Sequence, residues 1–451
     1  MQNTTVKKTV WLALLGAQLL IILTFWSWNQ THHPLGNLLT GGSAGQLLAY
    51  GRLAGLLAAF LILLQVFLIG PIRWTEQTFG LDRMTRLHHV LGFSLLALLA
   101  AHPLLVTLGH AGQEDNTFMA QYLDFLRNWP GVLAAAIGLG IMLAAVAFSV
   151  AIVRKRLKYE TWQATHLTLY VAMALAFGHQ LEVGNDFTGN RGFAGYWQAL
   201  YIAVFGNLIW HRLLRPLVVF NRHRFAIARV TPESSDVTSL EITGRNLERL
   251  RAAGGQFVLV RFWAKGFRWE KHPFSLSCRP DGHRLRLTIK QLGDFTRRVP
   301  QLAPGTPVIL DGPHGIFTAR RSQAAKVLLI AGGIGITPIR AIAEELLEAG
   351  RDLLLIYGNR HRDGIVFKQE LDALATAAGG RFRIVHVLNN DPGWPGEKGK
   401  IDRERILRLA PDIRERDVYL CGPPPMMKLI RADLTGAGVP PRRIYDERFA
   451  L

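Results

Sequence analysis

Six long apolar runs crowd the first half of this 451-residue chain, near positions 9–28, 46–72, 88–109, 131–153, 161–181 and 196–214. A helix needs about 20 apolar residues to cross a hydrocarbon layer of about 30 Å, so each run is long enough to span a bilayer. Inside lipid every backbone N–H and C=O must be satisfied internally, which makes a six-helix transmembrane bundle the expected architecture here. The first run follows Lys7 and Lys8, exceeds the usual apolar stretch of a secretory signal and lacks a small-x-small cleavage site. It reads as an anchor. Residues 216–451 instead carry mixed charges, turns and short alternating strands, as a soluble α/β protein does.

The chain holds 52 Lys+Arg against 33 Asp+Glu, a formal net charge of +19. Such a balance invites nucleic acid as a partner. These basic residues, however, are neither gathered on one helix nor interleaved with aromatics, and many flank the apolar runs. No nucleic-acid binding is expected. One set of connections carries Lys7, Lys8, Arg73, Arg83, Arg86, Arg154, Lys155, Arg156, Lys158, Arg212 and Arg215. The opposite set has only Arg127 and Arg191, beside Glu114, Asp115, Asp124, Glu182 and Asp186. The positive-inside rule then puts the N-terminus and the long C-terminal region in the cytoplasm, with the bundle in the inner (plasma) membrane. Two cysteines, Cys278 and Cys421, cannot build a four-cysteine cluster or a disulfide framework.

Histidine at membrane depth needs a reason. The third run carries His88, His89 and His102, and the fifth carries His166 and His179. Both run from the cytoplasm outward, so the early histidines share the inner half of the bilayer and the late ones the outer half. Paired imidazoles from facing helices hold haem iron from both sides. His88 with His166, and His102 with His179, would bind two haems, with His89 an alternative to His88. The 14-residue step on the third run spans ~21 Å and returns to within ~40° of one face. The 13-residue step on the fifth lands ~140° away and calls for a bulge, expected near Gly178.

From Phe225, short strands punctuated by Gly and Pro suggest a small antiparallel β-barrel. A flavin site needs a surface for the ring, a hydrogen-bonding group near its redox edge and donors for the pyrophosphate. HPFSLS (272–277) offers Pro273 and Phe274, Ser275, and the polar His272 and Ser277; TIKQLGDFT (288–296) offers Lys290, Gly293 and Thr296. Further on, AKVLLIAGGIGITPIRAIAEELLEAG reads as strand, glycine turn and amphipathic helix. Gly332, Gly333 and Gly335 allow a pyrophosphate to approach the helix N-terminus. The strand DLLLIYGNR ends at Tyr357 and Arg360, and DVYLCGPPPMM ends in Cys421, Gly422 and Pro423. Both ends suit the carboxyl edge of a parallel sheet, where such ligands bind.

HPFSLS, IKQLGDFT, DGPHG (311–315), AGGIGITP (331–338), CGPPPMM (421–427) and the histidine pairs together resemble the ferric reductase and NADPH oxidase superfamily. The resemblance covers the whole chain, including the spacings of 14 and 13. It implies a haem-binding membrane domain (1–216), an FAD-binding β-barrel (217–320) and an NAD(P)H-binding α/β domain with a parallel sheet (321–451). It also implies cofactor contacts by Thr337 and Pro338 in AGGIGITP, and catalytic positions for Ser275, Cys421 and the terminal aromatic Phe449. Phe295 stands where the oxidases carry Trp, and no calcium-binding loops precede the bundle. NADPH or NADH gives two electrons and haem takes one, so FAD belongs between them. The extracytoplasmic acceptor is dioxygen, giving superoxide, or a ferric chelate. A haem-free, membrane-tethered flavin reductase, or a module supplying electrons to a membrane partner, are the competing readings.

Overall fold

The computed structural model describes residues 2–32, 42–70, 73–149, 159–183 and 185–448, and divides into two compact units, Met1–His211 and Arg212–Leu451. The expected Phe449 site lies outside the described residues, as do the ends of the apolar runs beyond 70 and 149.

The first unit is helical: α1 (Gln2–His32), α2 (Gly42–Ile69), α3 (Arg73–Phe79), α4 (Leu81–Gln113), α5 (Phe118–Asn128), α6 (Val132–Ser149), α7 (Tyr159–Glu182), α8 (Asn185–Thr188) and α9 (Arg191–Ile209). Among the described residues, five helical stretches are long and apolar enough to cross a membrane: Val6–Asn29, Gly42–Ile69, Arg83–Gln113, Val132–Ser149 and Arg191–His223. The expected fifth run lies in α7, whose 24 residues reach about 36 Å. Gln163, Thr165, His166, Thr168, His179 and Gln180 make it less apolar than the others. α2 packs along α4 through glycines: a Cβ on Gly109 would meet Leu48 Cγ at 2.6 Å. Small residues let membrane helices approach this closely.

The second unit begins within a π-helical turn (Trp210–Leu214) running into α10 (Arg215–His223). Six strands follow: β1 (Ala226–Ser234), β2 (Val237–Thr243), β3 (Phe257–Phe262), β4 (His272–Ser275), β5 (Leu285–Lys290) and β6 (Val308–His314). They form two three-stranded antiparallel sheets, ordered β1-β2-β5 and β4-β3-β6, joined by bridges Ala226–Pro307 and Leu276–Leu287. Alternate side chains such as Leu240, Ile242, Val258, Val260, Leu287 and Leu310 meet in one core, as the period of two demands. A short helix, α11 (Asp294–Arg298), closes one end.

Beyond it lies a six-stranded, wholly parallel sheet ordered β10-β9-β8-β7-β11-β12. Its strands are β7 (Lys326–Gly332), β8 (Asp352–Asn359), β9 (Phe382–Leu388), β10 (Glu397–Lys398), β11 (Asp417–Cys421) and β12 (Ile444–Glu447). Helices α12 (Ile336–Glu348), α13 (Lys368–Ala377), α14 (Arg403–Leu409) and α15 (Pro424–Gly436) connect them. β7 and β11 are buried almost throughout, which explains the Val-Leu-Leu-Ile run of β7 and the largely apolar Val-Tyr-Leu-Cys of β11. The strand order reverses between β7 and β11. Ligands bind in such sheets at this switch point, beyond the carboxyl ends of the strands.

Candidate functional site

α4 and α7 both line a cavity in the membrane unit, to which Gly55, Leu99, Val106 and Ala176 contribute apolar wall and His102 and His179 polar atoms. The His102 and His179 rings lie 6.3 Å apart between centroids, and the His88 and His166 rings 6.2 Å. Two imidazoles bound through Nε2 to one metal, about 2.0 Å per bond and about 1.15 Å from nitrogen to ring centre, stand about 6.3 Å apart. Both pairs therefore leave room for one iron.

The other ring nitrogens are already committed. Nδ1 of His102 lies 2.9 Å from Gly51 O, and Nδ1 of His179 lies 2.6 Å from Ala176 O. Nδ1 of His166 sits 3.3 Å from Ser149 Oγ, whose own proton goes to Ala145 O. A ring that donates from Nδ1 presents its Nε2 lone pair to a metal. Nδ1 of His88 is buried without a partner, while His89 is exposed and meets the His88 ring edge-on at 6.1 Å. α7 is helical throughout, and no bulge interrupts it at Gly178. The 13-residue step is absorbed by the side chains instead: His179 folds back on Ala176, and His166 leans towards Ser149 on α6.

In the reductase unit, β4 is an edge strand carrying His272, Pro273, Phe274 and Ser275. Phe295 on α11 is buried 4.0 Å from the His272 ring and 6.3 Å from the Phe274 ring. The two motif stretches thus meet at that phenylalanine. Ser275 is buried at the end of β4. Ser277 is turned inward, with Oγ 2.8 Å from Thr288 Oγ1 and 3.1 Å from Arg286 O. Lys290 pairs with Asp236 at 3.1 Å, and Thr296 Oγ1 accepts from the N–H groups of Leu292 and Gly293. Those side chains have local partners, and the surface they leave is the partly exposed Phe274 and the β4 edge.

At the switch point, Gly332, Gly333 and Gly335 turn from β7 into α12. Gly333 has φ +52° and open space where a Cβ would be, and no side chain caps the helix that starts at Ile336. A helix N-terminus approached through glycines suits a pyrophosphate. A Cβ on Gly335 would strike the Cys421 carbonyl, and one on Gly422 would come within 3.1 Å of Gly332 N. The two glycine-bearing strand ends therefore form a single site. Thr337 and Pro338 are buried in the first turn of α12, where the Thr337 hydroxyl donates to Ile334 O. Burial pushes the Cys421 thiol well above its ordinary pKa, with Glu447 and Asp446 adding to the effect. It remains a neutral thiol, fully buried in the core of the sheet and not placed for acid–base work. Arg360 is exposed beyond β8, and Arg362 is held by Asp391 at 2.9 Å.

Three family descriptions match in succession along the chain. "Ferric reductase like transmembrane component" covers residues 54–177, "FAD-binding domain" 220–316 and "Oxidoreductase NAD-binding domain" 329–432. This chain belongs to the ferric reductase and NADPH oxidase family. It is a transmembrane flavoprotein oxidoreductase whose membrane component is fused to an FAD and NAD(P)H reductase module. NADH-cytochrome b5 reductase 1 of Cryptococcus neoformans is 30% identical over 233 residues, 49% of this chain and 74% of that protein. The flavohemoprotein of Xylella fastidiosa is 28% identical over 234 residues, 50% of this chain and 58% of that one. A solved ferredoxin reductase of carbazole 1,9a-dioxygenase matches with TM-score 0.45 at 25% identity, over 50% of this chain and 68% of its own.

Several charged groups of this family member carry no local signal. Asp311, 4% exposed, holds Lys271 at 2.6 Å, His314 at 3.3 Å and Arg215 at 3.6 Å. Burial opposes its charge, but the His314 hydrogen bond and the Lys271 ammonium hold its carboxyl well below the usual range. Lys271 immediately precedes HPFSLS, so this carboxylate fixes the start of β4. Buried Arg340 donates to Ser277 O at 2.9 Å and meets Glu370 at 2.6 Å, while Arg286 grips Glu370 at 2.8 and 3.0 Å. This cluster joins α12 and α13 to the flavin-side strands. In the membrane unit, Arg52 pairs with buried Asp186 at 2.6 Å and lines the cavity with Nη1 unpaired.

Proposed function

We propose that the chain carries electrons from cytoplasmic NAD(P)H through FAD and two b-type haems to dioxygen or a ferric chelate outside the inner membrane. The observation that carries this reading is the pair of histidine-ring separations, 6.2 and 6.3 Å, each sized for one bis-imidazole iron. FAD, when bound, accepts a hydride and releases electrons singly, and bis-histidine haem relays them one at a time.

The chain's own residues divide the work. His88 and His166 would hold the inner haem, and His102 and His179 the outer one. Backbone carbonyls and Ser149 keep three of these rings in the ligating tautomer. The unpaired Arg52 Nη1 offers a charge to an anionic edge of the outer group. Phe274, Pro273 and His272 form the flavin surface, with Ser275 at its redox edge and Ser277 bracing β4 from behind. Lys290, Gly293 and Thr296 shape the neighbouring loop. Gly332, Gly333, Gly335, Thr337 and Pro338 cradle the dinucleotide pyrophosphate. Cys421, Gly422 and Pro423 would position the nicotinamide, Phe449 would serve as the terminal aromatic of the family at the flavin, and Arg360 would meet the ribose phosphate of NADPH. The domains are 1–216, 217–320 and 321–451, with six spans and the strands of the second domain closed as a barrel.

The test is the optical spectrum of the purified, oxygen-free protein before and after NADPH. Low-spin haem bands that sharpen on reduction, at two haems per FAD, support the reading. Flavin bleaching with no haem band refutes it. NAD(P)H-driven cytochrome c reduction with and without superoxide dismutase then separates dioxygen from a ferric acceptor.

A further inference from the structure

The loop between β3 and β4, WAKGFRW (263–269), places large aromatic rings in solvent. Trp269 is 92% exposed and Trp263 51%, the Arg268 guanidinium lies over the Trp263 ring at 5.5 Å, and Lys265 is also exposed. The loop is not loose. Phe267 is buried against Phe262 and Phe295, and Arg298 reaches across to Gly266 O and to Glu270. A pinned loop that presents two indoles and two cations, with the neighbouring Glu270 already paired to Arg298, suits a partner that takes both. Indole and guanidinium side chains have their best shared environment at the headgroup level of a bilayer.

The position of the loop within the reductase unit points the same way. The chain enters this unit at Arg212, within the apolar helical stretch Arg191–His223. Three residues later, Arg215 meets Asp311, and the other oxygen of that carboxylate holds Lys271, two residues beyond Trp269. Within the reductase unit the aromatic loop is therefore pinned beside Arg215, which lies on the apolar helical stretch Arg191–His223. There, Leu213 and Leu217 are 61% and 52% exposed, continuing the apolar surface. Covalent attachment holds this surface at a high effective concentration beside the bilayer.

We propose that the 263–269 loop is a membrane-surface contact, in which Trp263 and Trp269 enter the headgroup layer and Lys265 and Arg268 engage anionic lipid. This does not depend on haem, on the acceptor or on the direction of electron flow.

The test uses the full chain in nanodiscs of phosphatidylcholine alone or with phosphatidylserine. Hydroxyl-radical labelling with mass spectrometry reads each tryptophan separately, normalised to the unfolded chain. Contact predicts Trp269 labelling at least about threefold lower in the anionic discs, and a return towards the unfolded rate in Lys265→Glu/Arg268→Glu. Anaerobic flavin reduction by NAD(P)H in that variant should match wild type, which verifies that the reductase unit is folded. Two results would overturn the proposal. One is Trp269 labelled at the unfolded rate in both discs. The other is equal protection in both discs that survives the charge reversal, which would mean that protein rather than lipid covers the rings.

Discussion

Gly55→Ala is a one-carbon test of the outer histidine pair. A Cβ at this position on α2 would lie 2.6 Å from His102 Nδ1, whereas ordinary contact begins near 3.4 Å. The ring has to move about 0.8 Å, several times the roughly 0.2 Å latitude of a metal–ligand bond. Stepping α2 back would instead open the tight seam with α4, where Gly51 sits so close that its own Cβ would meet Val106 Cγ2 at 2.8 Å. Moving the ring also breaks the 2.9 Å contact from Nδ1 to Gly51 O that sets the tautomer. Losing an outer-sphere partner of this kind costs about 10–100-fold in metal affinity, or about 1.4–2.7 kcal/mol. The expected outcome is a haem-to-FAD ratio falling from two towards one, with the inner haem still reducible and transfer to the outside acceptor down at least about tenfold. Pyridine haemochrome and flavin absorbance give the ratio. Gly140→Ala, where nothing lies within 4 Å of the added carbon, is the control and should keep both haems. If Gly55→Ala retains two haems with unchanged low-spin bands, the outer-pair assignment fails.

Gly335→Ala should raise the KM for NAD(P)H by about tenfold or more, since its Cβ would strike the Cys421 carbonyl at the switch point; an unchanged KM in anaerobic flavin reduction would count against that site. Glu370→Gln removes a carboxylate shared by Arg286 and buried Arg340. A fully buried partner would cost about 3–5 kcal/mol. Glu370 is 37% exposed, so about 1–2 kcal/mol is expected, a Tm lower by roughly 2–8 °C in scanning calorimetry; a shift below about 1 °C would refute the clamp. Asp311 has a depressed carboxyl pKa, so its charge-dependent stabilisation is complete above about pH 4 and lost as pH falls towards the folded-state value. Thermal unfolding should therefore weaken more steeply as pH falls from about 4 towards 2 in wild type than in Asp311→Asn; parallel profiles would show that the carboxylate contributes nothing.

What could be read from the sequence, and what could not, divides by the range over which each signal acts. The long helices follow from composition within single windows. The glycine turn before α12 and the CGPPP turn after β11 announce themselves because φ near +52° at Gly333 and close backbone approach at Gly335 demand glycine locally. The charged hubs had no such trace. Arg286 and Glu370 are 84 residues apart, and Lys271 and Asp311 are 40 apart. Until the chain folds, each of these is one charge among 85 (52 basic and 33 acidic).

The histidines of α7 lie between these cases, and the bulge expected near Gly178 marks where the sequence argument stopped short. Helical periodicity fixes where Cα–Cβ vectors point, and a 13-residue step points them apart. It says nothing of the ring, which turns about two further torsions. His179 uses that freedom to fold back on Ala176 and His166 uses it to lean on Ser149, so both still reach α4 from a regular helix. The contacts that commit each Nδ1 also hold the turned ring in place. Ser149→Ala should therefore loosen His166 and the inner pair while leaving His102 and His179 unaffected, a separation that redox titration of the two proposed haems can resolve. Equal disturbance of both pairs would mean that the rings are held by the helix frame and not by their hydrogen bonds.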